Sequence, residues 1–148
     1  SKGGPITLTN PEMKRFFMTK DDAVNLIISA ATLAKGGETF VLKMPLIRLD
    51  DLFEAMKEIL SSKYDYIPSQ IKTKIIGTRP GEKLIEYLLT QFEIENVFET
   101  KNFFIIPSLN LSTKKYSNAK KLKNSKFYFE NIKTLSKKEI LSTLKKIY

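Results

Sequence analysis

Thr73-Lys74-Ile75-Ile76-Gly77-Thr78-Arg79-Pro80-Gly81-Glu82-Lys83 runs from a β-prone apolar stretch through a glycine-bounded turn to a proline suited to the first position of a helix. The spacing predicts a strand, a tight turn, and a helix from about Pro80 through Leu84, Ile85, Leu88 and Leu89. Strands alternating with helices build an α/β layer structure, and the alternation continues in both directions from this segment. Upstream, Leu52, Phe53, Met56, Ile59 and Leu60 form one apolar stripe behind Asp50, Asp51 and Glu54, which suit the positive start of a helix. Thr39-Phe40-Val41-Leu42, stopped by Pro45, is a short apolar run of the kind buried on both faces of a parallel sheet. Thr19 and Asp22 have capping-box spacing and open a helix carrying Ala23, Val24, Ile27, Ala30, Ala31 and Ala34, with Gly36-Gly37 as its expected left-handed end. Residues 23–34 are uncharged, far short of the roughly 20 a membrane span needs, and are expected to form a buried helix. Ile6-Thr7-Leu8-Thr9 and Arg15-Phe16-Phe17-Met18 read as strands joined at Asn10-Pro11.

Downstream, Phe103-Phe104-Ile105-Ile106, bounded by Asn102 and Pro107, is the strongest strand signal in the chain. Residues 112–126 are dominated by Lys, Ser and Asn and are expected to be mobile or solvated. Ser136-Lys137-Lys138-Glu139 is a capping box that opens a last helix, with Ile140, Leu141, Leu144 and Ile147 as its buried face.

At 148 residues and 42% apolar composition the chain can bury a core without covalent staples. Its net charge of +9 is local: residues 1–111 hold 14 basic and 14 acidic residues, whereas residues 112–148 hold 11 basic residues against Glu130 and Glu139. With no Cys and no His, disulfide scaffolds, thiol chemistry, His-assisted triads and the usual zinc ligand sets are excluded, and no metal site is expected. The N-terminal residues carry no secretory signal, so the expected location is cytoplasmic, without a membrane.

Ligands of open α/β sheets bind at the carboxyl ends of strands, which is where Arg79 stands in the strand–turn–helix reading. Free N–H groups at a helix start favour an anion, and the planar Arg79 guanidinium can take two phosphate oxygens at once. Glu82 would place a carboxylate within reach of sugar hydroxyls, so a nucleotide offers both partners. The plainer alternative makes Arg79 a surface turn residue and Glu82 a complement to the helix dipole. Arg15 is weighed in the same way, since it stands at the start of an apolar strand and can simply mark a solvent edge.

A resemblance adds to this reading. Pro5-Ile6-Thr7-Leu8-Thr9-Asn10-Pro11-Glu12-Met13-Lys14-Arg15-Phe16-Phe17-Met18-Thr19, Gly36-Gly37-Glu38-Thr39-Phe40-Val41 and Gly77-Thr78-Arg79-Pro80-Gly81-Glu82-Lys83 resemble the C-terminal portion of bacterial nucleotide-sugar dehydratases and epimerases of polysaccharide biosynthesis, which are extended short-chain dehydrogenases. Asn102-Phe103-Phe104-Ile105-Ile106-Pro107, and Glu130-Asn131 followed by Leu135 and Glu139, are most similar to the inverting UDP-N-acetylglucosamine 4,6-dehydratases of pseudaminic acid synthesis. The resemblance implies an α/β fold lacking the N-terminal Rossmann half, with residues 1–111 as the substrate-binding segment and residues 112–148 packing on the same domain. It implies Arg15, Arg79 and Glu82 as substrate-binding residues for a UDP-sugar, two guanidinium groups holding the diphosphate and the carboxylate selecting the ribose. The family reaction uses NADP: it oxidises C4 of the sugar, eliminates water across C5 and C6, and returns the hydride with inversion at C5. A 4-epimerase or C5-epimerase of UDP-N-acetylglucosamine is the alternative within the same class.

The six glycines, at 3, 4, 36, 37, 77 and 81, cannot spell Gly-x-Gly-x-x-Gly, so no NADP site and no catalytic residue is expected within this chain, which alone is expected to be inactive. Tyr116-Ser117-Asn118-Ala119-Lys120 matches the Tyr-x-x-x-Lys of short-chain dehydrogenases literally, but it follows the substrate segment instead of preceding it and is read as coincidence. Partnering with the missing half, or self-association, is expected to cover the edge at residues 39–42. A reading from another class makes Lys114, Lys115, Lys120, Lys121, Lys123 and Lys126, with Tyr116, Phe127 and Tyr128, a nucleic-acid-binding tract. The absence of Arg from that tract weighs against it, because base recognition usually relies on bidentate Arg.

Overall fold

A computed structural model describes residues 5–108, 116, 118–122 and 132–147. The chain divides into two compact units, one of Ser1–Phe17, Pro45–Glu86 and Lys133–Tyr148, the other of Met18–Met44 and Tyr87–Ile132. Each has its own core.

In the first unit, β1 (Ile6–Leu8) pairs in parallel with β5 (Thr73–Ile75), Leu8 lying opposite Ile75. Strand β2 (Lys14–Phe16) pairs antiparallel with β4 (Leu46–Arg48), Arg15 opposite Ile47. The other edge of β4 is closed at Leu46, whose amide donates to the Lys133 carbonyl at 2.9 Å and whose carbonyl accepts from the Leu135 amide at 2.8 Å. Helix α2 (Leu49–Lys63) follows β4 directly, with Asp50 and Asp51 in its first turn complementing the helix dipole. It packs on α4 (Lys137–Leu144), and Ile47, Ala55, Ile140 and Leu144 form the centre of this core with Leu52, Met56 and Ile59 around them. Of the stripe read from residues 52–60, Leu52, Met56 and Ile59 pack on this core.

Helix α4 starts as expected: the Ser136 hydroxyl accepts from the Glu139 amide and the Glu139 carboxylate accepts from the Ser136 amide. The Lys133 ammonium, donating to Glu139 at 2.6 Å, together with the amide and hydroxyl of Ser136, holds the Glu139 carboxyl down to about 2. A carboxyl depressed in the folded state stabilises the fold above its unfolded value of about 4.3. That contribution is lost as pH falls from there through about 2. Lys133→Met is expected to move the Glu139 titration upward, toward the ordinary carboxylate range. An NMR titration of the Glu139 side chain checks this, and an unmoved midpoint would contradict it.

In the second unit, the sheet order is β3–β7–β6–β8, with β3 (Thr39–Leu42), β6 (Phe98–Glu99), β7 (Phe103–Ile106) and β8 (Lys120–Lys121), all antiparallel. One cluster comprises Leu89, Ile94, Val97 and Phe104, and another Phe103, Ile105 and Tyr116. Alternate residues of β7 thus feed two clusters, as the two-residue side-chain period of a strand dictates. Helix α1 (Lys20–Leu33), opened by the reciprocal Thr19–Asp22 capping box, lays Leu26 and Leu33 on the second cluster. A short helix α3 (Gln91–Ile94) has its own capping box at Thr90 and Glu93.

Several expectations are corrected. The helix expected from Pro80 through Leu89 is absent: residues 79–82 form a turn, and Ile85 bridges to Lys14. Leu84 and Ile85 belong to the first unit's strand edge, whereas Leu88 and Leu89 pack in the second unit's core, so their helical spacing reflects two separate environments. Helix α1 has no buried residue, and Val24, Ile27 and Ile28 are exposed, Ile27 at 68%. Being apolar on more than one side, it offers no periodic contrast to mark the face that packs. Its end also differs, since Ala34 is the C-cap and Gly36 and Gly37, at φ +106° and +81°, lie in the following turn. Strand β3 is an antiparallel edge strand, not a parallel strand buried on both faces. Among the described residues of the Lys-rich tract, Tyr116 is 4% exposed and Lys120–Lys121 pair with β6, so these parts are packed and not loose. The readings placed on Lys114, Lys115, Lys123, Lys126, Phe127, Tyr128, Glu130 and Asn131 lie outside the described residues. Ile147 follows α4 and is exposed. No helix among the described residues is long and apolar enough to cross a membrane.

Candidate functional site

Arg79, Pro80, Gly81 and Glu82 form a closed turn. Proline fixes its φ at about −65°, Gly81 stands at φ +83°, and the Glu82 amide donates to the Arg79 carbonyl at 3.0 Å. That is the pattern of a type II β-turn, with proline and glycine at its two central positions. A second bond closes the same four residues: the Arg79 amide donates to Glu82 Oε2 at 2.9 Å. The Arg79 guanidinium is exposed and has no hydrogen-bond or ion-pair partner among the described residues.

The flanking chain sets where this turn sits. Before it, β5 lies against β1 and the Ile76 amide donates to the Leu8 carbonyl at 2.9 Å. After it, Leu84 reaches β2, its carbonyl accepting from the Lys14 amide at 2.7 Å. Arg15 Nη1 donates to the Lys14 carbonyl at 2.8 Å and lies 3.5 Å from the Leu84 carbonyl. The structure therefore joins all three sequence-predicted residues within the first unit: Glu82 is bonded to Arg79, and Arg15 holds the strand edge two residues beyond Glu82. The anion-binding helix start expected here is absent. The carbonyls of Lys14 and Leu84, which orient Arg15, were not foreseen, because main-chain acceptors leave no signature in residue type.

Among the described residues no group of three or more Asp or Glu side chains is arranged to hold a metal. Tyr116 and Lys120 do not act as a helical Tyr-x-x-x-Lys pair. The Lys35 ammonium lies 4.8 Å from the centre of the Tyr116 ring, Phe98 meets the ring edge-on at 5.6 Å, and Lys120 stands exposed on β8. Burial pushes the Tyr116 phenol above its ordinary value, and the Glu38 carboxylate adds to that. A proton-transfer tyrosine needs the opposite shift.

The model of a polysaccharide biosynthesis protein family matches residues 1–108. The chain belongs to that family. An uncharacterized membrane protein of Methanocaldococcus jannaschii is 47% identical over 146 residues, covering 99% of this chain and 42% of that protein. A UDP-glucose 4-epimerase of Rickettsia rickettsii is 32% identical over 106 residues, covering 72% of this chain and 29% of the enzyme. The solved structure of Pen from Bacillus thuringiensis matches with a TM-score of 0.76 at 40% identity, covering 94% of this chain and 40% of Pen. The chain thus spans less than half the length of these relatives, and its mixed α/β fold matches part of the Pen structure.

Proposed function

We propose that this family member supplies the substrate side of a UDP-N-acetylglucosamine 4,6-dehydratase, with Arg15 and Arg79 holding the diphosphate of the UDP-sugar and Glu82 facing its ribose. The observation that carries the reading is the exposed Arg79 guanidinium, without a partner among the described residues, on a turn fixed at both ends, beside an Arg15 anchored by main-chain carbonyls. Each guanidinium–phosphate bond contributes roughly 1.5–3 kcal/mol, and a fork of two parallel N–H donors adds direction to it. A sugar-nucleotide substrate is further supported by the named activity of the Rickettsia relative. That name also favours a second reading within the class, a 4-epimerase, which would use the same diphosphate grip. The family that the chain resembles uses NADP, but the residues present do not fit that cofactor. Of the described glycines, Gly36 and Gly37 follow a helix, and Gly77 and Gly81 flank a turn that leads into no helix, so none builds a dinucleotide cradle. The reading therefore routes no step of oxidation or elimination through this chain and gives it substrate binding alone.

Calorimetric titration with UDP-N-acetylglucosamine, UDP-glucose and UDP tests the proposal. All three are expected to bind with similar affinity, because the shared diphosphate and ribose supply the contacts, and Arg15→Ala is expected to weaken each about tenfold. Absence of binding by a folded chain would contradict the reading.

A further inference from the structure

We infer that Glu82 is a positioning residue: its carboxylate sets the direction of Arg79, so its effect on ligand binding passes through the phosphate contact and not only through a sugar hydroxyl. This rests on the reading of the turn as a diphosphate site. Backbone freedom in residues 79–82 is already narrow. Pro80 has a fixed φ, and a residue that precedes proline is confined to extended conformations, which restricts ψ of Arg79. The torsion left soft is φ of Arg79, which determines where its own N–H points. The Glu82 carboxylate accepts that N–H at 2.9 Å and removes this freedom. The reciprocal bond from the Glu82 amide to the Arg79 carbonyl, at 3.0 Å, would exist in any type II turn; the carboxylate bond is the addition. The same amide-to-carboxylate spacing at Thr19, Thr90 and Ser136 opens helices, whereas at Arg79 no helix follows and the device fixes only the turn.

The consequence is energetic. A long cationic side chain on a loose backbone loses more freedom when it captures an anion than one whose Cα is already held. One oxygen, Oε2, is engaged in this way, and Oε1 accepts no hydrogen bond among the described residues, so a sugar hydroxyl can still be met without releasing the turn.

The test compares Glu82→Ala and Glu82→Gln with two probes, UDP and inorganic pyrophosphate, which has no ribose. Glu82→Ala is expected to weaken both by a similar factor of about three to ten, the scale of the ordering cost that a pre-held side chain avoids. Glu82→Gln keeps an acceptor oxygen and is expected to recover most of the affinity for both. In nitrogen–proton correlation spectra the Arg79 amide proton is expected to move upfield in Glu82→Ala and to stay closer to its original position in Glu82→Gln. Loss of UDP binding in Glu82→Ala with pyrophosphate binding untouched would overturn the inference and make Glu82 a ribose contact alone. If neither probe binds the unaltered chain, the diphosphate reading fails, and the amide shift still decides the positioning role: an Arg79 amide unmoved in Glu82→Ala would overturn it.

Discussion

Arg79→Ala is expected to weaken UDP binding by about 10- to 100-fold, corresponding to the loss of a charge-assisted contact of roughly 1.5–3 kcal/mol. The side chain makes no hydrogen bond or ion pair within the described structure, so its removal leaves no buried group unsatisfied, and thermal stability is expected to stay unchanged. Arg79→Lys should recover only part of the affinity, because an ammonium is a point charge and cannot present two parallel N–H donors to a phosphate. Calorimetry with UDP, paired with a thermal melt of each variant, separates these effects. Full UDP affinity in a folded Arg79→Ala protein would remove the guanidinium from the site.

The largest effect on stability is expected from Phe104→Ala, at about 3–5 kcal/mol, the range for truncating a buried aromatic side chain. Phe104 is 0% exposed and lies on β7, whose backbone is paired on both sides by β3 and β6, so its ring projects from a fixed strand into the core on one face. It packs with Leu89, Ile94 and Val97, and the Lys43 ammonium lies 4.8 Å from its ring centre. The cavity left by truncation cannot collapse without shifting the central strand. Phe92→Ala is the matched control: Phe92 is 78% exposed, and its loss is expected to change stability by no more than about 0.5 kcal/mol. Urea denaturation of the two variants checks the contrast, and comparable midpoints would contradict the assignment of Phe104 to a core.

What the sequence made legible follows from which interactions are local. The capping boxes at Thr19 and Ser136 were read correctly because both partners lie within four residues and the bonds they make depend on little else. The stripe of α2 was legible because its other face is charged, so the inward side stands out. Residues 103–106 were legible as a strand from β-branched and aromatic content alone. Pairing direction was not, since Thr39–Leu42 reads the same whether its partner runs parallel or antiparallel. The missing helix after Pro80 shows how a correct period can mislead. Leu84, Ile85, Leu88 and Leu89 have helical spacing, but Gly81 at positive φ closes a turn and the Leu84 carbonyl is taken by the amide of Lys14 on β2, a partner distant in sequence that no local period shows.

The sequence named the three candidate residues, but not the local geometry that surrounds them. Arg15, Arg79 and Glu82 do lie on adjoining segments of one unit. The helix start with free amides that the spacing predicted is absent: Arg79 stands exposed on a turn, and Arg15 donates to a main-chain carbonyl at a strand edge. Helix α1 marks the other boundary of what one chain displays. Its Val24, Ile27 and Ile28 are exposed, and among the described strands β3 pairs with β7 alone.

The most direct test of the account is to titrate the isotopically labelled chain with UDP and map the amide shifts. The account requires the largest changes at Arg15 and across residues 77–83, saturating together with one affinity. Changes concentrated elsewhere, for example at Glu58, Ser62 and Lys145 in the groove between α2 and α4, or no changes at all in a folded chain, would contradict it.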